Sequence, residues 1–332
     1  MLFLPDYDMM KPLSERKKPE MKRLLILLLC ALLLAGCASP AVKDVSPGKT
    51  VRFTDDTGAE VEVPCQPGKV AVLLSSLADL WVTAGGAVDI TVGETVTRGF
   101  AGQDAVLVDD GAGKTINLEL LIAEKPDFVL YASDLAGQKE CADTLRTAGI
   151  PTAGFAVDTF NDYLRVLKIA TDILQTQEAY ETHGEQVKRR VESLISAARE
   201  QENQPEILFV RAGSSAKYTK AKTADTSFVC AMLQELGTVN IAENAPVLLD
   251  GLSTEEILLS DPYAILYTTM GDESTGVAYM QSLLADPVWQ SMTAVKEGRV
   301  YQLPKDLFQY KPNSRWDEAY EYLIELLYGE IV

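Results

Sequence analysis

The chain has 332 residues, of which 47% are hydrophobic and 23% are charged, and its formal net charge at pH 7 is −18. Nucleic-acid binding demands clustered lysine and arginine, so this acidic balance excludes nucleic acid as a partner. The length leaves room for one large or two medium domains behind a targeting segment.

The first 36 residues have the layout of a targeting segment. From Met21, two basic residues lead into an apolar run that is too short and wrongly flanked for a membrane span, so residues 21–36 are predicted to be a signal peptide. The run ends in the letters LAGC at residues 34–37, which resemble the bacterial lipoprotein signal. That resemblance implies a lipid such as palmitate on Cys37, with a plain signal peptide or an uncut anchor helix as alternatives. Residues 1–20 are interpreted as an over-extended start upstream of Met21.

Residues 37–49 are rich in alanine, serine, proline and glycine, and they predict a flexible tether. A lipid at the end of such a tether would hold the body of the protein at a membrane surface. We therefore expect an extracytoplasmic location, with anchorage to the cell membrane through Cys37.

Residues 50–160 alternate between strand and helix patterns. Polar and apolar residues alternate on both sides of a central Asp-Thr-Gly, which predicts a hairpin over residues 50–64. The apolar run 69–76 predicts a strand buried on both faces, and residues 77–86 predict a short helix closed by glycine. Strand patterns follow at ITVGET and at residues 148–157. This rhythm predicts an α/β lobe with a mostly parallel sheet.

Residues 161–204 break this rhythm. Apolar residues recur at helical spacing without an intervening proline before Pro205, so the stretch is predicted to be a helical linker of one or two long helices. The second helix is predicted over residues 178–202. The one histidine, His183, falls within it.

Residues 205–332 restart the strand and helix rhythm. A strand pattern over residues 206–215 ends in Gly-Ser-Ser, and residues 226–237 predict a helix closed by glycine. Residues 298–304 predict a last strand and residues 314–329 a final amphipathic helix. The sequence therefore predicts a second α/β lobe similar to the first.

One helix–strand unit occurs in both predicted lobes. The letters NLELLIAEKPDFVLYAS at residues 117–133 match STEEILLSDPYAILYTT at residues 253–269, at a constant offset of 136 residues. Each copy predicts a short helix with an acid in its first turn, a proline break and a buried strand. The repeat places Glu119 and Glu255 at equivalent positions of the two lobes.

The sequence offers no pattern for a metal site, a disulfide framework or a catalytic nucleophile. Beyond the signal and tether, Cys65, Cys141 and Cys230 are odd in number and widely spaced, without a C-x-x-C pair or a His/Cys cluster. They are interpreted as small buried thiols. A single histidine excludes a multi-histidine site of the zinc or manganese importer type, and it also excludes a Ser-His-Asp or Cys-His arrangement.

In their order and spacing, these patterns resemble the substrate-binding proteins of ABC importers for ferric siderophores, haem and cobalamin, the class III periplasmic binding proteins. The lipoprotein cysteine, the opening VRFTDDTGAEVEVP, the stretch KVAVLLSSLADLWVTAGG, the repeated unit and the linking helix carry the resemblance. It implies an α/β fold of two Rossmann-like lobes with parallel sheets, joined by one long bridging α-helix, with the ligand in the cleft between the lobes. Independently, open α/β sheets bind ligands at the carboxyl ends of their strands, which favours the same cleft.

The resemblance also implies a role for the repeated glutamates. In this family a glutamate on an exposed helix of each lobe pairs with arginines of a dimeric membrane permease, and Glu119 and Glu255 occupy those positions. The residues themselves offer an alternative, in which Asn117 and Ser253 cap the two helices and the glutamates only favour the helix dipole. The two roles can coexist.

Ligand-binding residues should come from the loops that follow the strands. Arginine and tyrosine together suit a large anionic chelate, because guanidinium groups bind carboxylate or catecholate oxygens and also stack on rings. The candidates are Ser75, Ser76, Arg98, Phe100, Tyr131, Arg211, Lys217, Tyr218, Lys220, Tyr267, Tyr310 and Lys311.

The combined prediction is a binding protein and not an enzyme. It would capture a ferric siderophore-type chelate, without a cofactor of its own, and deliver it as a monomer to an ABC permease dimer with its ATPase. Cobalamin, haem with a tyrosine as axial ligand, and an oxyanion such as molybdate stay open as ligands. A chelatase-like enzyme and a structural lipoprotein are the competing classes. A bridging helix also predicts little hinge motion on binding.

Overall fold

The structure is a computed structural model that describes residues 49–110 and 115–329. The predicted signal peptide, almost all of the tether and Cys37 lie outside the described residues. In these two ranges, no helix has both the length and the apolar character needed to cross a membrane.

The first lobe opens with the predicted hairpin, in which β1 (Thr50–Thr54) pairs antiparallel with β2 (Glu60–Pro64). The carboxylate of Asp55 accepts hydrogen bonds from the backbone N–H of Thr57 at 2.9 Å and of Gly154 at 2.9 Å. Burial raises the pKa of Asp55, but the hydrogen bonds outweigh burial and hold the pKa below its usual value. The charged side chain thereby fastens the hairpin to the first sheet.

A five-stranded parallel sheet forms the centre of the first lobe, in the order β5-β4-β3-β6-β7. The central strands are buried throughout, because helices cover both faces of a parallel sheet. The strands are β3 (Val70–Val72), β4 (Ile90–Thr91), β5 (Val106–Leu107), β6 (Phe128–Ala132) and β7 (Thr152–Phe155). The helices are α1 (Ser75–Thr83), α2 (Gly93–Thr97), α3 (Leu118–Ala123) and α4 (Ala136–Thr147).

The helical linker connects the two sheets. Helix α5 (Phe160–Leu174) begins at a capping box, where the Thr159 hydroxyl accepts from the Asp162 N–H. A second helical stretch then runs through α6 (Gln177–Tyr180), a π-helical turn (Glu181–Glu185) and α7 (Gln186–Arg199). This stretch is the predicted bridging helix, with bounds shifted by a few residues and a π-turn at His183 that the periodicity did not indicate.

The second lobe repeats the parallel arrangement, with strand order β10-β8-β11-β12 and β9 added antiparallel to β8. Its strands are β8 (Glu206–Ala212), β9 (Lys220–Ala221), β10 (Val239–Asn240), β11 (Ala264–Thr269) and β12 (Val300–Gln302). Its helices are α8 (Phe228–Glu235), α9 (Val247–Asp250), α10 (Thr254–Ser260), α11 (Glu273–Leu284), α12 (Thr293–Lys296), α13 (Lys305–Phe308) and α14 (Trp316–Tyr328). Single 3₁₀ turns lie at Ala216–Tyr218, Ile241–Glu243, Trp289–Ser291 and Asn313–Arg315.

The repeated unit takes the same form in both lobes, as α3–β6 and as α10–β11. The helix of each copy also ends in the same way. Lys125 and Asp261 both have a left-handed backbone, with φ of 50° and 40°, and each is followed by the proline of the repeat. A left-handed residue ends a helix, and proline prevents the helix from continuing. The predicted fold class, two α/β lobes with parallel sheets and a bridging helix, is therefore confirmed.

One hydrophobic core extends through both lobes and the linker. At its centre the ring of Trp316 lies 5.6 Å from that of Phe160 in the linker and 5.8 Å from that of Phe228 in the second lobe, measured between centroids. Close-packed interiors transmit displacement rather than absorb it. The shared core supports the expectation that the lobes move little relative to each other.

Candidate ligand-binding site

A pocket of about 710 Å³ lies between the lobes. Both parallel sheets direct the carboxyl ends of their strands towards it, so its walls are loops and helix starts, as expected for open α/β sheets. From the first lobe it is lined by Leu74, Ser75, Ser76, Glu94, Asp134, Asp158 and Thr159. From the second lobe it is lined by Phe209, Arg211, Lys222, Ala224, Asp225, Thr226, Ser227, Phe228, Thr268, Phe308, Gln309, Tyr310 and Lys311.

On the first-lobe side, Arg98 is held in a network next to the pocket. The Ser75 hydroxyl donates to Glu94 Oε2 at 2.5 Å, and Arg98 Nη1 donates to Ser75 Oγ at 2.9 Å. The Arg98 guanidinium also lies 3.8 Å from the ring centroid of Tyr310 and 4.8 Å from that of Phe100. These contacts hold Arg98 at the rim of the pocket, and it is absent from the lining.

A short segment of the second lobe, residues 310–313, makes polar contacts across the cleft. The Tyr310 hydroxyl donates to Glu94 Oε1 at 3.2 Å, and Lys311 Nζ lies 3.2 Å from Asp158 Oδ1. The buried Asn313 amide donates to the Ser76 carbonyl and to Asp79 Oδ2, both at 2.9 Å. Residues 310–313 therefore join the lobes as well as lining the pocket, and we call them the cross-lobe segment.

Two pocket-lining cations of the second lobe have no partner among the described residues. Neither the guanidinium of Arg211 nor the ammonium of Lys222 forms a hydrogen bond or ion pair with another described residue, although both line the pocket. Lys222 is half-buried, which makes an unneutralised charge more costly than on an open surface. The second-lobe wall therefore presents two positively charged groups that suit an anionic ligand.

Aromatic side chains also lie on the second-lobe side. Phe209 and Phe308 are buried lining residues, and Lys311 Nζ lies 4.6 Å from the ring centroid of Phe228. The first-lobe wall offers hydroxyls and carboxylates instead. The second-lobe wall thus combines these rings and cations with one acid, Asp225, whereas the charged lining residues of the first lobe are all acids.

Five of the twelve predicted ligand-binding residues line the pocket, namely Ser75, Ser76, Arg211, Tyr310 and Lys311. Arg98 and Phe100 lie beside it, as described above. Tyr131 does not reach it: its side chain is 1% exposed, its ring packs over Gly154 of the neighbouring strand, and its hydroxyl lies 3.3 Å from Arg146 Nη2. Tyr267 is also buried in the second lobe, with its hydroxyl 3.4 Å from Gln302.

Lys217, Tyr218 and Lys220 also lie outside the lining. The first two belong to an exposed 3₁₀ turn, and Lys220 is in β9. Because β9 returns antiparallel along β8, the chain reaches the cleft again only at Lys222. These three predicted residues lie before the return, whereas the pocket lining resumes after it.

Sequence reasoning missed Lys222 and the stretch from Ala224 to Phe228. A two-residue antiparallel strand leaves no periodic pattern, so nothing in the letters showed that this stretch comes back to the cleft. The small polar residues before helix α8 were the available signal. Glu94 and Asp158 were missed because their roles arise from contacts with the cross-lobe segment of the other lobe.

The helices α3 and α10 carry the repeated glutamates. Asn117 Oδ1 accepts from the Leu120 N–H at 3.0 Å, and Ser253 Oγ accepts from the Glu256 N–H at 3.4 Å, so both are N-caps. Glu119 and Glu255 are exposed, and their carboxylates have no partner among the described side chains. Capping thus belongs to Asn117 and Ser253, and no described side chain occupies the two glutamates.

Replacing Asn313 by alanine is expected to lower the free energy of unfolding by about 1–3 kcal/mol, because the Ser76 carbonyl and the Asp79 carboxylate lose their donor. Asn313 has φ of 50°, a left-handed conformation that alanine adopts poorly. Asn313→Gly removes the same donor without that strain, so it should be the milder variant by about 1 kcal/mol. Urea unfolding measures both. Equal stability of the alanine variant and the parent would contradict the bridging role.

The pH dependence of stability should report on Asp79. Burial raises the pKa of Asp79 above its usual value, despite the hydrogen bond from Asn313 and the charges of Arg98 and Arg315. The folded state therefore takes up a proton before the unfolded state does on acidification, so the Asp79 contribution to stability is largest at low pH and is lost as pH rises. Asp79→Asn should be the more stable protein at pH 7 relative to the parent, with an advantage that shrinks towards pH 4. An advantage that is constant over this range would refute the prediction.

Comparison with protein-family models matches residues 70–307 to the family described as "Periplasmic binding protein". Among curated proteins, the chain is similar to an "uncharacterized ABC transporter substrate-binding lipoprotein YvrC" of Bacillus subtilis strain 168, with 27% identity over 319 residues, 92% of this chain and 96% of the relative.

Many solved structures are similar to this chain, including the following two. One is the haem-binding protein RhuT from Roseiflexus sp. RS-1 in apo form, with a TM-score of 0.64, 19% identity, and coverage of 78% of this chain and 97% of RhuT. The other is SirA of Staphylococcus aureus complexed with staphyloferrin B, with a TM-score of 0.65, 16% identity, and coverage of 84% of this chain and 98% of SirA. At these identities the likeness shows a shared fold.

Proposed function

Because the chain belongs to the periplasmic binding protein family, we propose that it is the substrate-binding component of an ABC importer and captures a metal chelate between its two lobes. As a member of a family of solute-binding proteins, it is a binding protein and not an enzyme. The observation that carries the proposal is the pocket of about 710 Å³ between the lobes, into which Arg211 and Lys222 bring unpaired positive charge. Its volume falls in the range of small-molecule sites.

The lining favours an anionic chelate of the ferric siderophore type. Arg211 and Lys222, which have no partner among the described residues, suit carboxylate or catecholate oxygens of a ligand. A guanidinium is the side-chain group best suited to bind two such oxygens at once. The buried rings of Phe209 and Phe308 on the same wall suit the apolar faces of a large chelate. The complex of SirA with staphyloferrin B supports this class by analogy of fold. A compact oxyanion such as molybdate would leave most of the volume unfilled.

Haem is the second candidate, and the description of RhuT as haem-binding favours it. Haem needs an axial ligand from the protein. Tyr310 is the one tyrosine among the described lining residues, and its hydroxyl donates to Glu94 while its ring carries Arg98. Haem binding through Tyr310 would have to break these contacts, whereas a chelate that brings all its metal ligands would not.

Delivery to the permease is assigned to Glu119 and Glu255. Both carboxylates are exposed and have no partner among the described residues, and they occupy equivalent places on two similar lobes. A dimeric permease with its ATPase presents two similar surfaces, so two equivalent charge-assisted contacts would align the lobes over the pore. Lipidation of Cys37 would keep the protein extracytoplasmic and tethered to the cell membrane at the site of transport.

The test is a titration of the soluble form that begins after Cys37, followed by tryptophan fluorescence. Trp316 reports on the pocket because its ring packs against that of Phe228, a lining residue. The panel contains ferric catecholate, hydroxamate and carboxylate siderophores, haem, cobalamin and molybdate. Saturable quenching by a ferric chelate supports the proposal. A shift of the Soret band on addition of haem supports haem as the ligand instead. No response to any of these compounds by a folded sample refutes a ligand of these classes.

A further inference from the structure

Helix α10 exposes two leucines beside Glu255. Leu259 is 80% exposed, the highest value among the large hydrophobic side chains in the described residues, and the next is Val247 at 52%. Its neighbour Leu258 is 41% exposed. Single exposed leucines are ordinary features of protein surfaces. These two leucines differ from such ordinary cases in their position beside Glu255.

Leu259 lies on the same face of α10 as the proposed docking carboxylate. Leu259 follows Glu255 by four residues and Leu258 follows Glu255 by three, which are the spacings of neighbours on a helix surface. Ile257 is fully buried and fixes the rotation of the helix, so Glu255 and Leu259 point away from the core. The carboxylate and the apolar side chain thus form one continuous surface.

The first lobe lacks this apolar surface. At the repeat offset, Leu259 corresponds to Ala123 and Leu258 corresponds to Ile122, which is only partly exposed. Helix α3 thus presents Glu119 beside a methyl group, whereas α10 presents Glu255 beside a whole leucine side chain. The two docking helices share their charge and differ in apolar area.

We propose that Leu258 and Leu259 form an apolar docking contact that inserts into a hydrophobic recess of the ABC permease, next to the basic residue that meets Glu255. This inference rests on the proposed function. The carboxylates beside the leucines select the occupant: an anionic membrane surface would repel Glu255 and Glu256, and a second copy of this chain would bring equal charges together. A partner that is basic and apolar at one place fits both features.

The consequence is that the two lobes bind the permease unequally. The first lobe relies on its carboxylate, whereas the second adds the burial of a leucine side chain, which changes an affinity by about tenfold. Leu259→Ala makes α10 resemble α3 and should weaken permease binding by that factor. Fold stability should not change, because the side chain is mostly in solvent.

Photo-crosslinking in cells tests the contact directly. The full chain carries the photoreactive residue p-benzoylphenylalanine at position 259 or at position 123, and the adducts are identified by mass spectrometry. We expect position 259 to crosslink to the membrane-spanning permease subunit, with a yield several-fold above that of position 123. An adduct with lipid, with a second copy or with no protein would overturn the proposal.

The amount of permease that co-purifies with the full chain is the second measurement. Leu259→Ala should reduce it by about tenfold, and Val247→Ala, which removes an exposed side chain elsewhere on the second lobe, should leave it unchanged. If charge reversal of Glu119 and Glu255 abolishes co-purification while Leu259→Ala has no effect, this inference fails and the proposed function stands. If neither change has an effect, both fail.

Discussion

Replacing Arg211 by alanine should weaken binding of the anionic chelate by about 10- to 100-fold, since a hydrogen bond to a charged group contributes about 1.5–3 kcal/mol. The guanidinium has no partner within the described protein, so its contacts are available to the ligand and its loss should not destabilise the fold. Lys222→Ala should act in the same direction with a smaller effect, because an ammonium binds a carboxylate as a point charge and not as a planar fork. Isothermal titration with the chelate that quenches tryptophan fluorescence measures both.

Lys217→Ala is the matched control for Arg211→Ala. It removes one positive charge from the same lobe, close in sequence, but from outside the pocket lining. If Lys217→Ala weakened binding as much as Arg211→Ala, the effect would be long-range electrostatics, and the assignment of Arg211 to direct contact would be wrong. Any effect of Lys217→Ala on ligand affinity should also decrease with added salt, because exposed charges are screened.

Reversing the charge of both docking glutamates, Glu119→Lys with Glu255→Lys, is expected to abolish chelate uptake by cells while ligand affinity stays within about twofold of the parent. Like charges would then face each other at both permease contacts, which costs several kcal/mol in a closed interface. The pocket lining contains neither glutamate, so binding and delivery should separate. Uptake of radioactive iron and titration of the purified variant are the two measurements.

Glu178→Lys provides the control for charge reversal. Glu178 is another exposed acid in the first turn of a helix, without a partner among the described side chains, but it lies on the linker. It should leave uptake intact. Unchanged uptake in the double glutamate variant would show that delivery does not depend on these carboxylates and that they serve the helix dipole alone.

Much of the architecture could be predicted because each of its signals is local. The apolar runs at β6 and β11 predict strands buried on both faces, and the constant offset between α3–β6 and α10–β11 predicts two similar lobes. The long helical stretch between the lobes follows from its periodicity. The π-turn at His183 could not be predicted, since it changes the backbone pattern without changing the spacing of apolar residues enough to show.

The site was harder to predict because it depends on which way each side chain points. Tyr131 and Tyr267 lie within strands β6 and β11 and both pack into the lobes, Tyr131 because its cross-strand neighbour Gly154 leaves room for its ring. Lys222 reaches the pocket only because β9 turns back along β8. A shift of one residue along a strand moves a side chain to the opposite face, so small errors in register become complete errors about the site.

By itself, the sequence determined the acidic composition, the α/β class, the duplication of the lobes and the equivalence of Glu119 and Glu255, since each is a matter of residue type and periodicity along one chain. Only the tertiary structure decided which cations remain unpaired. Arg98 donates to Ser75 and lies against the ring of Tyr310 from the other lobe, whereas the guanidinium of Arg211 has no hydrogen-bond or ion-pair partner among the described residues. Whether a charged group finds a partner depends on distances of a few ångströms between residues that are far apart in the chain. Coulomb interactions and hydrogen bonds depend on those distances and not on separation along the sequence.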